Sequence, residues 1–369
     1  MAKRFSIDVL GSFAELRKQA PELAIVHSEQ DFFCTLPWFE TLGNHGLEPD
    51  VHLQILLGTS RQEGSIALPL LSHNGRLRSL SNFYSGLYGP LTSGVPLHPD
   101  FLRLACRRIR GDTRRWPVVE IRPVATEDDF AHQITGSLRE AGYWTDRFFC
   151  FGNWYLEVAE RSFSQYHSSL SSRLRNTIAR SRAKLTREGN WSARVIVSSG
   201  PELETAIRNY VSIYSASWKP AEPFVDFIPA LCRMAADNGW LRLGLLTLHG
   251  KAIAAQIWIV KDGTASIYKL TYDEHYGRLS PGTLLSAHMM QHCIDEDHVH
   301  TIDYLSGDDG YKKDWMSHRR ERIVVIAFDS RTFFGLTLGL LHYSQKMIKR
   351  LAWPRRAQSI HRDQKSLVI

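Results

Sequence analysis

The segment 278–283 combines a turn, an arginine and a glycine directly before a predicted helix at 284–294. Ser280 is suited to the N-cap of that helix, and Pro281 is tolerated in a first helical turn. The unpaired backbone N–H groups and the dipole of a helix N-terminus attract phosphate. The sequence therefore predicts that one set of neighbouring residues binds the phosphates of a carrier: Arg278, Ser280, Pro281, Gly282 and Thr283.

Polar residues around this segment could supply the rest of an acyl-transfer site. Asp303 lies in a short apolar strand at 301–305, where partial burial would make it a stronger base, and it is equally suited to cap the next turn or pair with a lysine. Asp308 is the reserve base. Tyr311 is suited to protonate a leaving group or contact the substrate. Three further residues are predicted to bind the substrate: Gln256, Lys269 and Lys312.

The elements that must position these residues are readable from the pattern. Strand-like runs at 241–248, 252–260 and 265–271 are separated by glycine turns, which predicts an antiparallel meander. The phosphate segment, the helix and the strand at 301–305 follow. The fold class is therefore α/β, with mixed (α+β) sheets.

This order of elements resembles the acyl-CoA-binding half of the GNAT acyltransferase superfamily. Tyr272-Asp273, the loop 279–282, Asp303, Gly307-Asp308 and the run from Tyr311 to Trp315 are similar to the subgroup related to the Fem peptidoglycan-bridge transferases. That subgroup is found beside bacterial polysaccharide genes. The resemblance implies a GNAT-type N-acyltransferase, with acyl-CoA (acetyl-CoA) as co-substrate and no metal.

The resemblance also marks substrate contacts. It implies that Tyr272, Asp308 and Trp315 bind the substrate, and that Trp218 lies near the acceptor, although a core tryptophan at a helix end is the alternative. A strand at 265–271 that separates from its neighbour would donate to the thioester carbonyl. The acceptor would be an amine or hydroxyl of a sugar, amino acid or cell-envelope precursor.

Two other functions stay open. The wider superfamily usually has an arginine or glutamine followed by a glycine-rich run, and here Gly282 is the only glycine in the loop. An aminoacyl-tRNA donor, as in Fem relatives, is therefore the second hypothesis. A catalytically silent binding module of a polysaccharide assembly is the third.

Six cations and no acid lie within fifteen residues of a predicted helix at 162–188. They predict an anionic partner, such as CoA phosphates, tRNA or an acidic glycan. A solvated helix whose arginines pair with acids of the fold is an equal alternative. The cations are Arg173, Arg175, Arg180, Arg182, Lys184 and Arg187.

The chain divides into three parts by pattern. Residues 1–155 predict an α/β unit whose element order parallels 156–330, and the family resemblance implies two GNAT-like domains of which the first is non-catalytic. Residues 331–369 predict a basic amphipathic helix with a loose tail from 354. Its segment 333–356 would contact a membrane surface or, more commonly, pack on its own domain.

Composition limits the class of protein. The chain has 369 residues, 43% of them hydrophobic, and a net charge of +7, which indicates a globular protein rather than a disordered one. Five scattered cysteines and no evident signal peptide favour the cytoplasm, with the inner membrane face as an option. His288 and His292 have zinc-like spacing but no third ligand, so no metal site is predicted. Hydrolase, Walker and dinucleotide motifs are absent from the sequence.

Overall fold

Thirteen strands form one mixed sheet in a computed structural model of the chain. It describes residues 5–28, 30–112 and 116–363, with side chains up to residue 348. The strands are β1 Ser6–Leu10, β2 His52–Ser60, β3 Gly64–His73, β4 Arg76–Ser79, β5 Leu91–Thr92, β6 Val118–Ala125, β7 Trp144–Glu157, β8 Trp191–Ile196, β9 Leu241–Leu248, β10 Lys251–Lys261, β11 Thr264–Tyr272, β12 Thr301–Ser306 and β13 His318–Phe328.

Helices cover both faces of the sheet. Short 3-10 segments occur at Pro21–Ala24, Phe32–Cys34 and Glu274–Leu279, and a π turn at His292–Glu296. The α-helices are α1 Phe13–Gln19, α2 Leu36–His45, α3 Pro99–Arg110, α4 Asp129–Glu140, α5 Phe163–Ser169, α6 Ser172–Glu188, α7 Pro201–Ser215, α8 Phe227–Asp237, α9 Pro281–Gln291, α10 Lys312–Trp315 and α11 Phe333–Asp363.

The second half of the chain repeats the element order of the first. Each half has a strand, two helices, a three-stranded antiparallel meander, a helix, a parallel strand, a helix and a final strand. The meanders are β2–β4 and β9–β11. In both halves the last meander strand pairs in parallel with the strand after the helix, β4 with β6 and β11 with β12. The predicted tandem α/β fold is confirmed.

The two units exchange their final strands. The sheet order is β1-β2-β3-β4-β6-β13-β7-β12-β11-β10-β9-β8. Strand β13 of the second unit therefore pairs with β6 of the first, while β7 pairs with β12 of the second. The two exchanged strands also pair with each other along their length. A division at 155 falls inside β7, which contacts both units.

The core has two parts, one on each side of the second unit's sheet. Along β9 and β10, Leu243 and Ile257 join the larger core, whereas Leu246 and Trp258 join the smaller one with α6 and α9. The larger core runs without a break into the first unit. No described helix is long and apolar enough to cross a membrane.

Several local predictions need correction. The helix expected at 162–188 is two helices, because Leu170 is extended and Ser171 caps a new helix through its hydroxyl. The helix expected at 284–294 begins at Pro281. Helix α11 continues past 354 to Asp363, and the cationic side chains at 349–356 and all of 364–369 lie outside the described residues.

Candidate active site

A cavity of about 440 Å³ opens where β11 separates from β12. The two strands pair in parallel only from Thr264 and Thr301 to Ser266 and Asp303. Beyond that point the cavity lies between residues 267–272 and 304–306. The edge of β11 that faces it has no strand partner, so backbone donors and acceptors are exposed to whatever occupies the cavity.

The N-terminus of α9 lines one side of this cavity through Gly282 and Thr283. Ser280 occupies the N-cap position in a left-handed conformation (φ 52°), but its side chain makes no capping hydrogen bond. The first N–H groups of the helix are therefore without a side-chain cap. The Ser181 hydroxyl on α6 donates to the carbonyl oxygens of Leu279 (2.6 Å) and Ser280 (3.1 Å), which fixes the loop against α6.

Gln256, the polar residue in the apolar strand β10, holds this helix start in place. Its amide donates to the Gly282 carbonyl at 3.0 Å and to the Ser286 hydroxyl at 2.8 Å. Its oxygen accepts from the Trp258 indole at 3.0 Å. Gln256 is buried and lines the cavity, so the first turn of α9 is anchored at its wall.

Three lysines line the cavity: Lys219, Lys269 and Lys312. Lys269 forms an ion pair with Glu222 at 2.6 Å. Lys312 is nearly fully buried, lies 3.4 Å from Asp309 and donates to the Ser306 carbonyl. Burial lowers the pKa of Lys312. Three amines therefore face the cavity, and two of them have an acidic partner.

Lys219 differs from the other two because it forms no ion pair with an acid among the described residues. Its Nζ donates to the Leu270 carbonyl oxygen on the open edge of β11. Burial and, to a smaller extent, the positive charge of Lys269 together lower the pKa of Lys219 from 10.5 to about 8. Roughly a tenth of this amine is therefore uncharged at pH 7, far more than for an ordinary lysine.

Aromatic rings complete the lining. Trp218 is 54% exposed, and its ring centroid lies 4.7 Å from that of Tyr272. Tyr311 is half exposed and packs edge-on against Tyr304, with ring centroids 5.7 Å apart. Burial raises the pKa of Tyr311 to about 12, so it keeps its proton at neutral pH. Trp315 is buried at the cavity wall.

The first unit also lines the cavity, through residues 83–86. The Tyr84 hydroxyl donates to Glu222 at 2.6 Å, and the Tyr268 hydroxyl donates to the Tyr84 carbonyl at 2.9 Å. Neither this loop nor Glu222 was identified from the sequence as part of the site. The only available signal was the aromatic run itself, because the contact joins residues far apart in the chain.

Asp303, the predicted base, does not line the cavity. It is 4% exposed, and its carboxylate accepts from Asn153, from the Leu305 N–H and from Arg320, each at 2.6 Å. It thus holds the irregular end of β12 at Leu305 and joins β7 and β13 to that strand. The geometry supports the capping alternative, with an arginine rather than a lysine as partner.

Two other predicted residues also point elsewhere. Asp308 accepts from both arms of Arg319, at 2.7 and 2.8 Å, and this hydrogen bonding lowers its pKa. Arg278 pairs with Glu188 at 2.9 Å on the surface. Neither lines the cavity, and neither do Ser280 and Pro281. Nine of the predicted residues are brought together there: Trp218, Gln256, Lys269, Tyr272, Gly282, Thr283, Tyr311, Lys312 and Trp315.

The basic helix α6 packs beside the phosphate segment. None of its six cations forms an ion pair with a described acid. Lys184 instead donates to the Arg278 carbonyl at 2.7 Å. The positive face of α6 is therefore not neutralised by the described part of the fold, and it lies next to the start of α9.

The comparisons with known proteins agree with this geometry. Residues 172–313 match the family described as an acetyltransferase (GNAT) domain. The chain therefore contains a GNAT domain. Its GNAT domain contains α9, the separated strands β11 and β12, and most of the cavity lining. No sequence among the curated proteins matches the chain significantly.

Solved structures share this fold over most of the chain. FemX is similar at 10% identity and a TM-score of 0.57, over 86% of this chain and 96% of FemX. The C-terminal domain of a candidate lysylphosphatidylglycerol synthetase from Agrobacterium fabrum is similar at 13% identity and a TM-score of 0.53, over 90% of this chain and 96% of that domain. A protein of unknown function from Bacteroides thetaiotaomicron is similar at 10% identity and a TM-score of 0.55, over 88% of this chain and 100% of that protein. The predicted resemblance to a Fem-related GNAT fold is confirmed.

Proposed function

We propose that this protein is an N-acyltransferase that moves an acyl group from acyl-CoA, such as acetyl-CoA, to an amine or hydroxyl acceptor. The observation that carries the proposal is one cavity that joins an uncapped helix start, an open strand edge and a half-buried lysine without an ion pair to a described acid. Those are three of the parts that transfer from a thioester requires.

The start of α9 would hold the carrier. The N–H groups of Gly282 and Thr283 would donate to the pyrophosphate of CoA, with the helix dipole adding attraction. The neighbouring cations of α6 would raise the local concentration of this anion. The chain offers one glycine here, and Gly282 lets a phosphate approach the backbone closely because it has no side chain.

The open edge of β11 would polarise the thioester carbonyl. Donors that already point at a fixed place need no rearrangement when negative charge develops on the oxygen. The Leu270 carbonyl on this edge contacts Lys219, so the lysine lies beside the same strand segment. The reacting carbon would therefore be near the Lys219 amine.

Lys219 is the residue we propose as the base, in place of Asp303. In its uncharged form the amine takes a proton from the attacking acceptor nitrogen, which then forms a bond to the acyl carbon. The bond from that carbon to sulfur breaks, and the thiolate leaves. Tyr311, which keeps its proton, would donate a hydrogen bond to the departing sulfur.

The cavity also limits the acceptor. Lys269 and Lys312 suit a carboxylate or phosphate on the acceptor, and the rings of Trp218 and Tyr272 suit the apolar face of a sugar. An anionic sugar, an amino acid or a precursor of a cell-envelope polysaccharide fits this lining. We propose this substrate class, with the reaction taking place in the cytoplasm.

An aminoacyl-tRNA donor is the second candidate, and the cationic face of α6 is the observation that favours it. Release of free thiol from acetyl-CoA in the presence of an amine panel would support the acyl-CoA reaction. Salt-sensitive RNA binding without CoA turnover would instead support the tRNA donor. Glycan binding that is unchanged in Tyr311→Phe and Lys219→Met, with no turnover of either donor, would indicate a silent binding module.

A further inference from the structure

Helix α11 turns its apolar side away from the protein. Six large apolar side chains on it are exposed, and they recur as adjacent pairs every seven residues, which puts them along one side of the helix. Their exposed fractions are 76% for Phe333, 67% for Phe334, 56% for Leu340, 54% for Leu341, 64% for Met347 and 64% for Ile348.

The opposite side of α11 is fixed to the sheet by small and polar residues. A Cβ on Gly335 would lie 2.2 Å from the Asp329 carbonyl oxygen, so the helix begins in direct contact with the backbone. His342 and Lys346 both bind Asp146 on β7, at 2.8 and 2.5 Å. Because these contacts set the rotation of the helix, it does not turn its apolar side inward.

Charge indicates what covers this apolar side. The sequence from 349 onward carries six cations and one acid, Asp363. Two copies joined along α11 would bring two such cationic segments together, whereas an anionic lipid surface would complement them. The cations are Lys349, Arg350, Arg355, Arg356, Arg362 and Lys365.

We propose that the exposed side of α11 docks onto an anionic lipid surface. The helix would lie in the plane of that surface, with its apolar pairs among the acyl chains. The net positive charge of the sequence after 348 would add attraction to anionic headgroups. This inference goes beyond the proposed acyl transfer and does not depend on it. It selects the membrane over self-packing, the two options that the sequence left open for 333–356.

Vesicle co-sedimentation of the full chain tests the proposal. Vesicles of phosphatidylglycerol and phosphatidylcholine in equal parts should bind the protein at least about tenfold more tightly than phosphatidylcholine alone, and added salt should weaken the binding. The double variant Phe334→Ser, Leu341→Ser should bind the anionic vesicles at least about tenfold more weakly than the parent. Val225→Ser is the matched control, because Val225 is 74% exposed outside α11, and it should bind like the parent.

Circular dichroism and thermal melting of the variants establish that they are folded, which is expected because both substituted residues are exposed. Three outcomes would overturn the proposal. One is no binding to the anionic vesicles, and another is unchanged binding in the double variant. The third is a dimer in sedimentation velocity that the double variant abolishes, which would make a second copy the occupant.

Discussion

Replacing Lys219 by arginine separates its proposed role as a base from a role as a fixed positive charge. Arginine keeps the charge and the reach to the Leu270 carbonyl, but it does not lose its proton in proteins. A base would be eliminated by this change, whereas an anion-binding contact would survive. Lys219→Met removes both and completes the comparison.

The expected change of kcat/KM with pH follows from the lowered pKa of the half-buried Lys219 amine. With a pKa of about 8, Lys219 is roughly 10% uncharged at pH 7, against roughly 0.03% for a lysine at 10.5. Since the uncharged form is active, kcat/KM should rise about tenfold from pH 6 to pH 7 and level off above about pH 8. Lys219→Arg should lower kcat/KM by about 10²–10⁴ and remove this rise.

The assay is release of free CoA from acetyl-CoA, measured with a thiol reagent across pH 6–9 at a fixed amine acceptor. Ionisation of the acceptor amine also affects the rate, so the pH profile is measured again with a second amine of different pKa. The rise in kcat/KM caused by Lys219 (the pH limb of the enzyme) keeps its position on the pH axis, whereas the rise caused by the acceptor moves with the acceptor's pKa. An NMR titration that follows the isotope-labelled ε-methylene groups of the lysines gives the Lys219 pKa without turnover. Full activity in Lys219→Arg, with the same rise of kcat/KM between pH 6 and pH 8, would show that Lys219 is not the base.

Three other outcomes are expected. Lys269→Gln should move the pH limb upward, because removing the neighbouring positive charge raises the pKa of Lys219; a limb that stays in place or moves down would contradict this electrostatic argument. Asp303→Asn should lower the free energy of unfolding by about 2 kcal/mol, since it weakens a half-buried ion pair with Arg320, yet it should leave the pH limb unchanged. Loss of the limb in a folded Asp303→Asn protein would restore Asp303 as the base. Asp146→Asn should loosen α11 through loss of its contacts with His342 and Lys346 and increase proteolysis of that helix, whereas equal cleavage rates in variant and parent would show that α11 is held by other contacts.

The parts of the fold predicted correctly are those that local pattern encodes. The meander β9–β11 has glycine turns and apolar runs, and the start of α9 has a proline in its first turn, so both were readable from neighbouring residues. Gln256 was selected because it interrupts an apolar strand, and Lys269 and Lys312 because their charge suits a carboxylate or phosphate. All three line the cavity.

The parts that were missed depend on contacts between distant segments. The exchange of β7 and β13 between units has no local signal, because any strand with suitable edges pairs equally well by pattern. The roles of Glu222 and Asp303 depend on Tyr84 and Arg320, which lie in other parts of the chain. From the sequence, Asp303 was suited equally to act as a base or to cap a turn or pair with a lysine, and its contacts with Asn153 and Arg320 could not be read from neighbouring residues.

Calorimetric titration with CoA and acetyl-CoA tests most directly the claim that the start of α9 is an acyl-CoA site. The variants to compare are Gly282→Glu and Gly282→Gln, which share the same size and the same contact between a Cβ and Tyr272 at 3.3 Å but differ in charge. We expect micromolar binding of CoA by the parent, an affinity at least about tenfold lower in the glutamate variant, and a much smaller loss of affinity in the glutamine variant. Absence of CoA binding by the parent, or equal affinity in the two variants, would contradict it.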